Sequence, residues 1–159
     1  MKHRVVLAAL ALTGCAAAAA QQRVGDTEFE QAFGHVIMSI DGARACHRFR
    51  LYVAETPGQR SRGLMYVRDM AHDDGMIFIY DRPARISMWM RNTVIPLDML
   101  FVDADGQILN IERSTTPYSR RSIPSDGPAR YVVEVNAGVT ADLGMRAGTR
   151  LFRPDLAPL

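Results

Sequence analysis

From His35 onward, turn residues interrupt this 159-residue chain so often that no long helix has room to form. Val36 to Ile40 reads as a short strand, Asp41-Gly42 as a type I′-like turn, and Ala43 to Ala54 as the returning strand. In that return Phe49, Leu51 and Val53 alternate with Arg48, Arg50 and Tyr52, the period of a half-buried strand. Thr56-Pro57-Gly58-Gln59 is a helix start: Thr56 caps, Pro57 suits the first turn and Gln59 completes a capping box. A short helix is therefore predicted from Pro57 to Met65, with Gly63 serving a C-terminal cap or a close backbone approach. Met76 to Tyr80, Ile86 to Met90, Pro96 to Val102, Ile108 to Arg113 and Tyr131 to Val135 follow as strands. Ala104-Asp105-Gly106 marks a hairpin, and the stretch from Ser114 to Pro128 is rich in Pro, Ser and Thr and reads as a loop. A brief turn or helix around Thr140 to Leu143 precedes a last strand ending near Phe152. Seven or eight strands of this kind predict a mainly β fold. The expected architecture is an antiparallel sandwich or partly closed barrel with one short helix after the second strand. The connections are too short for the crossover helices of a doubly wound α/β fold.

Hydrophobic residues make up 48% of the chain, enough for one packed core, and the length suits a single domain over residues 35–153. Residues 1–22 read as a signal segment. Lys2, His3 and Arg4 form a basic start, and Val5 to Leu12 an apolar run too short to span a bilayer. Leu12-Thr13-Gly14-Cys15 has the pattern of a lipobox, which would make Cys15 the lipid-attachment residue. Ala18-Ala19-Ala20 offers ordinary cleavage after Ala20 as the competing reading. Residues 23–34 are polar apart from a few apolar positions such as Phe29 and Phe33 and read as a tether, and residues 154–159 as a tail. Export to the periplasm or beyond is the expected destination, lipid-anchored if Cys15 is acylated and soluble otherwise.

Removing residues 1–22 takes Lys2 and Arg4 from the 19 basic residues, leaving 17 against 17 Asp and Glu. A neutral mature chain gives no support for a nucleic-acid partner. Lys2 is the only lysine, so Schiff-base chemistry is excluded from the mature protein. With Cys15 acylated or removed, Cys46 cannot form an internal disulfide. Its neighbour His47 would point to the other face of a strand, and a tolerated thiol is the expected role.

The segments Arg62-Gly63-Leu64-Met65, Gly75-Met76-Ile77-Phe78, Met88-Trp89-Met90-Arg91-Asn92-Thr93 and Ile95-Pro96-Leu97-Asp98, with Phe101-Val102-Asp103 and a following Gly, resemble domain-of-unknown-function family 192. The resemblance runs from about Val36 to Phe152. It implies a mainly antiparallel β domain of exported bacterial and archaeal proteins, with no established activity. Where the family often has Lys in W-M-K-N-T, this chain has Arg91, a flatter and fork-like donor.

Chemistry concentrates between Arg85 and Asp98. Ile86, Met88 and Met90 share one strand face, and Arg85, Ser87, Trp89 and Arg91 the other, which leaves the only tryptophan among polar neighbours. A ligand-binding cleft formed by Arg62, Trp89, Asn92 and Asp98 is the leading expectation, for a small polar or glycan ligand or an envelope protein partner. The competing reading has Trp89 covered or stacked on an arginine, Asn92 and Asp98 bonding the local backbone, and Arg62 paired with Asp98 or Glu55. Tyr118, Arg120 and Arg121 in the long loop offer contacts to an anionic envelope polymer.

A hydrolase acting on an envelope polysaccharide would draw on Glu55, Asp98, Asp103 and Glu134, with Asp98 the first candidate. A Cu(I) site would use His72, Met70, Met76, Met88 and Met90, although Met88 and Met90 face away from Trp89 and no Met-x-x-Met cluster occurs. His35, His47 and His72 lack zinc spacing, and Asp73-Asp74-Gly75 is too short for a calcium loop. No catalytic residue, metal or cofactor is expected in a non-catalytic binding or accessory module.

Overall fold

The alternation around Phe49, Leu51 and Val53 becomes a long hairpin in a computed structural model, which describes residues 27–152. β1 (His35–Asp41) and β2 (Cys46–Ala54) pair antiparallel, with Asp41 opposite Cys46. The signal and lipobox readings, Cys15 and the tail at 154–159 lie outside the described residues.

After β2, Thr56 caps α2 (Pro57–Arg62) as the capping box predicts: its hydroxyl accepts from the Gln59 amide, and the Gln59 side chain accepts from the Thr56 amide. The helix ends at Gly63, whose φ of 45° is one that L side chains rarely adopt. A Cβ there would also come within 3.1 Å of the Phe78 ring.

The rest of the chain supplies β3 (Asp74–Ala84), β4 (Ser87–Met88), β5 (Leu97–Val102), β6 (Ile108–Glu112), β7 (Ile123–Pro124), β8 (Ala129–Asn136), the short α3 (Val139–Asp142) and β9 (Leu151–Phe152). Seven strands form one curled, half-barrel sheet in the order β6-β5-β8-β3-β2-β1-β9, and β4 pairs with β7 in a separate two-stranded ribbon. The fold is mainly β, as expected. One pairing departs from the antiparallel expectation: β2 and β3 run parallel, joined by the crossover that carries α2. Arg50 and Asp74, opposite each other in that register, hold it with a two-pronged ion pair of 2.9 and 2.6 Å.

Apolar side chains fill both faces of the sheet, which is why β5 is buried along its whole length rather than alternating. Met76, Phe78, Leu97, Met99, Phe101 and Val132 belong to one cluster, and Ile77, Leu100, Val102, Val133 and Val135 to the other. The stretch expected to be a tether enters the first cluster. Thr27–Ala32 forms α1, Phe33 is 2% exposed, and Phe29 meets Tyr52 edge-on at 5.0 Å. The folded unit therefore begins before His35. Phe29 and Phe33, four residues apart, reach the same side of a helical turn, and that spacing is what brings a polar segment onto the sheet.

Candidate functional site

Three loops meet beside the first cluster and carry the exposed aromatic residues. Chain leaving α2 turns through Leu64–Val67; β4 runs on through Trp89 to Thr93; and the loop after β6 passes through Ser114 to Arg121. Main-chain bonds stitch them together. The Tyr66 amide donates to the Asn92 carbonyl at 2.9 Å, the Tyr118 amide to the Thr93 carbonyl at 3.1 Å, and the Met90 amide to the Ser119 carbonyl at 2.9 Å. Below them Ile86 and Met90 are buried, and the Thr115 hydroxyl donates to Met90 Sδ at 3.2 Å. The expected division of faces holds: Met90 anchors while Trp89 stays half exposed.

Tyr66, Trp89 and Tyr118 are 62%, 50% and 62% exposed, and they are the exposed large hydrophobic residues of the described chain. Two of them also sit on unfavourable backbone. Among the described residues four other than glycine have positive φ, namely Tyr66, Asn92, Ser114 and Tyr118, and all four lie in these loops. Asn92 tolerates this conformation, whereas each tyrosine costs about 1 kcal/mol or more.

Arginines stand over the rings. The Arg62 guanidinium lies 5.2 Å from the centre of the Tyr66 ring and that of Arg91 lies 4.9 Å from the Trp89 ring. Arg62 is also tied to the Met65 carbonyl, and Asn92 Nδ2 donates to Met65 Sδ at 3.7 Å. Arg120 is exposed in the third loop, and Arg121 is paired with Glu112.

Of the four expected cleft residues, Arg62, Trp89 and Asn92 belong to this surface and Asp98 does not. Asp98 is fully buried on β5. Its carboxylate accepts from the Ser114 amide at 2.8 Å, the Gly138 and Thr140 amides at 3.1 Å each, and the Thr140 hydroxyl at 2.7 Å. It thus joins the third loop to the start of α3 and presents no oxygen to a ligand or a scissile bond, which corrects both its cleft role and its candidacy as a catalytic acid. Arg62 pairs with neither Asp98 nor Glu55; its partners are Met65 and Tyr66. Tyr66 itself was not indicated by any periodic pattern, because its exposure depends on the turn after Gly63.

The other candidates separate. Asp103 accepts from the Asp105 and Gln107 amides and shapes its hairpin. Glu55 is exposed, and Glu134 is buried at 4% exposure on β8. His72 is exposed, while the sulfurs of Met88 and Met90 accept hydrogen bonds from Tyr80 and Thr115. No cluster of three or more His, Cys, Asp or Glu able to hold a metal occurs among the described residues. The Cys46 thiol lies 3.5 Å from an Asp41 carboxylate oxygen. A polar depression of about 410 Å³ lined by residues including Asp41, Arg146 and Thr149 contains none of the expected site residues.

The family profile of DUF192, described as Uncharacterized ACR, matches residues 36–152. The chain belongs to DUF192. The aromatic loops, β3 and β5 all lie inside the matched region, so the surface is part of the DUF192 domain rather than an appendage. A crystal structure of a candidate transcription regulator from Sinorhizobium meliloti 1021 is 40% identical with a TM-score of 0.73, covering 75% of this chain and 93% of the other. A protein of unknown function from Novosphingobium aromaticivorans DSM 12444 is 37% identical with a TM-score of 0.72, covering 74% of this chain and 84% of the other. No curated protein matches the chain. Family membership thus establishes the fold and leaves the activity open.

Proposed function

We propose that this DUF192 protein is a non-catalytic binding module of the cell envelope whose three-loop surface takes an acidic oligosaccharide. The observation that carries the reading is the coincidence of exposure and backbone strain at Tyr66 and Tyr118, on loops bonded to the one that presents Trp89. Exposed rings forfeit burial and positive φ costs stability, and both are features of recognition surfaces. Aromatic faces suit the C–H faces of sugar rings. The guanidiniums of Arg62, Arg91 and Arg120 supply forked donors for carboxylate or sulfate groups along the same chain. Single-stranded nucleic acid also pairs rings with cations, but a chain with 19 basic and 17 acidic residues lacks the charge surplus such partners call for. The envelope location rests on the apolar run from Val5 to Leu12 and the Leu12–Cys15 pattern.

Isothermal titration with a uronic-acid oligosaccharide tests the assignment, with a neutral oligosaccharide and a single-stranded oligonucleotide as comparators. Selective binding of the acidic sugar, weakened at least tenfold by Trp89→Ala and by Arg91→Gln, is expected. Preference for the oligonucleotide, or equal heats from wild type and Trp89→Ala, would overturn it. For the location, Cys15→Ser is expected to release the protein from the membrane fraction.

A further inference from the structure

The strand that presents Trp89 carries a longer exposed row than the three loops use. From Arg85 to Arg91 burial alternates without a break. Ile86 and Met90 are buried and Met88 is half-buried against the first cluster, while Arg85, Ser87, Trp89 and Arg91 are exposed. This row lies on the β4–β7 ribbon, in which Ser87 stands opposite Pro124 and Met88 opposite Ile123. Ile123 is buried with Ile86 and Met90, so the ribbon lays one face on the core and turns the other outward. Two bonds fix the Arg85 end: the Ile86 amide donates to the Ser125 hydroxyl at 3.0 Å, and the Ser125 amide to the Ile86 carbonyl at 2.9 Å.

The outward face changes chemistry along its length. At one end the Arg91 guanidinium stands over the Trp89 indole. Next, the Ser87 and Ser122 hydroxyls meet at 2.6 Å across the ribbon, which leaves one O–H and several lone pairs for another partner. Arg85 follows, and its guanidinium makes no hydrogen bond or ion pair with any described residue. Asp81 and Asp126 are exposed in the adjoining segments, but neither reaches it. Extended chain rises about 3.3 Å per residue, so Arg85 and Trp89 stand about 13 Å apart along the strand.

A single sugar ring stacked on Trp89 does not reach Arg85. A linear chain does: its hydroxyls pass over the serine pair, and a later acidic group meets the Arg85 fork. We propose that the outer face of the β4–β7 ribbon extends the three-loop surface into a track for a linear acidic polysaccharide, with Arg85 as its far anionic contact. The track rests on the binding-module reading and adds to it a ligand of several sugar units, laid along the ribbon.

Isothermal titration of the full chain with a uronic-acid trisaccharide and the octasaccharide of the same repeat tests the track. The octasaccharide should bind at least tenfold more tightly. Longer chains also bind through more registers, so the decisive comparison is between proteins on the same oligomer. Arg85→Gln should weaken octasaccharide binding about tenfold, the value of one charge-assisted hydrogen bond, and trisaccharide binding much less. Arg44→Gln removes the same charge from the exposed β1–β2 turn and should leave both affinities unchanged. The Arg85 guanidinium has no partner in the fold, so the melting temperature of Arg85→Gln should match the parent. Undiminished octasaccharide binding by Arg85→Gln, beside a loss in Trp89→Ala, overturns the track and leaves the three-loop surface standing. Equal losses in Arg85→Gln and Arg44→Gln mean a diffuse charge effect and also overturn it. No binding of either oligomer by the wild type overturns the binding-module reading and the track together. A single-stranded oligonucleotide that outcompetes the octasaccharide overturns the acidic sugar as the occupant.

Discussion

Replacing Glu134 with Gln should remove a pH dependence that the fold itself creates. The native acid is raised from 4.5 to about 8 by burial, so between those values the folded chain holds a proton that the unfolded chain has lost. Stability is then full below about pH 4.5, declines as the pH rises towards 8, and is level above it. At 1.36 kcal/mol per pKa unit the decline totals about 5 kcal/mol, comparable with the whole stability of a small domain. Glutamine cannot ionise and escapes this loss. Urea unfolding from pH 5 to pH 9, with a metal chelator present, should give similar midpoints for the two proteins at pH 5. At pH 9 Glu134→Gln should be the more stable by several kcal/mol. Parallel pH profiles would refute the reasoning, because they would mean that the carboxyl is solvated or paired in the native state.

Asp98→Ala should cost on the order of 3 kcal/mol in urea unfolding, since it orphans the Ser114, Gly138 and Thr140 amides and the Thr140 hydroxyl together. A loss below about 1 kcal/mol would remove Asp98 from its structural role. Gly63→Ala should lower stability by about 1 to 2 kcal/mol, through its φ of 45° and the Phe78 ring at 3.1 Å, and thermal melting is the readout. Tyr66→Gly relaxes a φ of 67° and should raise the melting temperature while weakening ligand binding; a fall in both would assign Tyr66 to packing.

Elements governed by near neighbours were legible in the sequence. The β1–β2 hairpin follows from alternation around Phe49 and Leu51, and α2 from four consecutive residues at Thr56–Gln59, both decided within a few positions. Direction of pairing was not legible, because β2 and β3 show the same pattern whether they run parallel or antiparallel. Nor was the burial of Asp98 legible. Asp98 takes partners 16 to 42 residues away, at Ser114, Gly138 and Thr140, and no local spacing announces them. Arg62, given a carboxylate partner in the competing reading, instead caps a carbonyl and covers a ring within four residues of itself. Part of the candidate site was legible for a simple reason: the alternation of β4, continued past Met88, puts Trp89 and Met90 on opposite sides. The Tyr66 contribution depends on a left-handed turn that tyrosine seldom adopts, so nothing in its residue type signalled it, whereas Tyr118 is among the loop residues the sequence already offers as polymer contacts.

Trp89 is the only tryptophan, which gives the proposed surface a reporter with no competing signal. Titrating the acidic oligosaccharide into the full chain and following tryptophan emission should give a saturable change that Tyr66→Ala weakens. An emission spectrum indifferent to saturating oligosaccharide would contradict the assignment of the three loops as the binding surface.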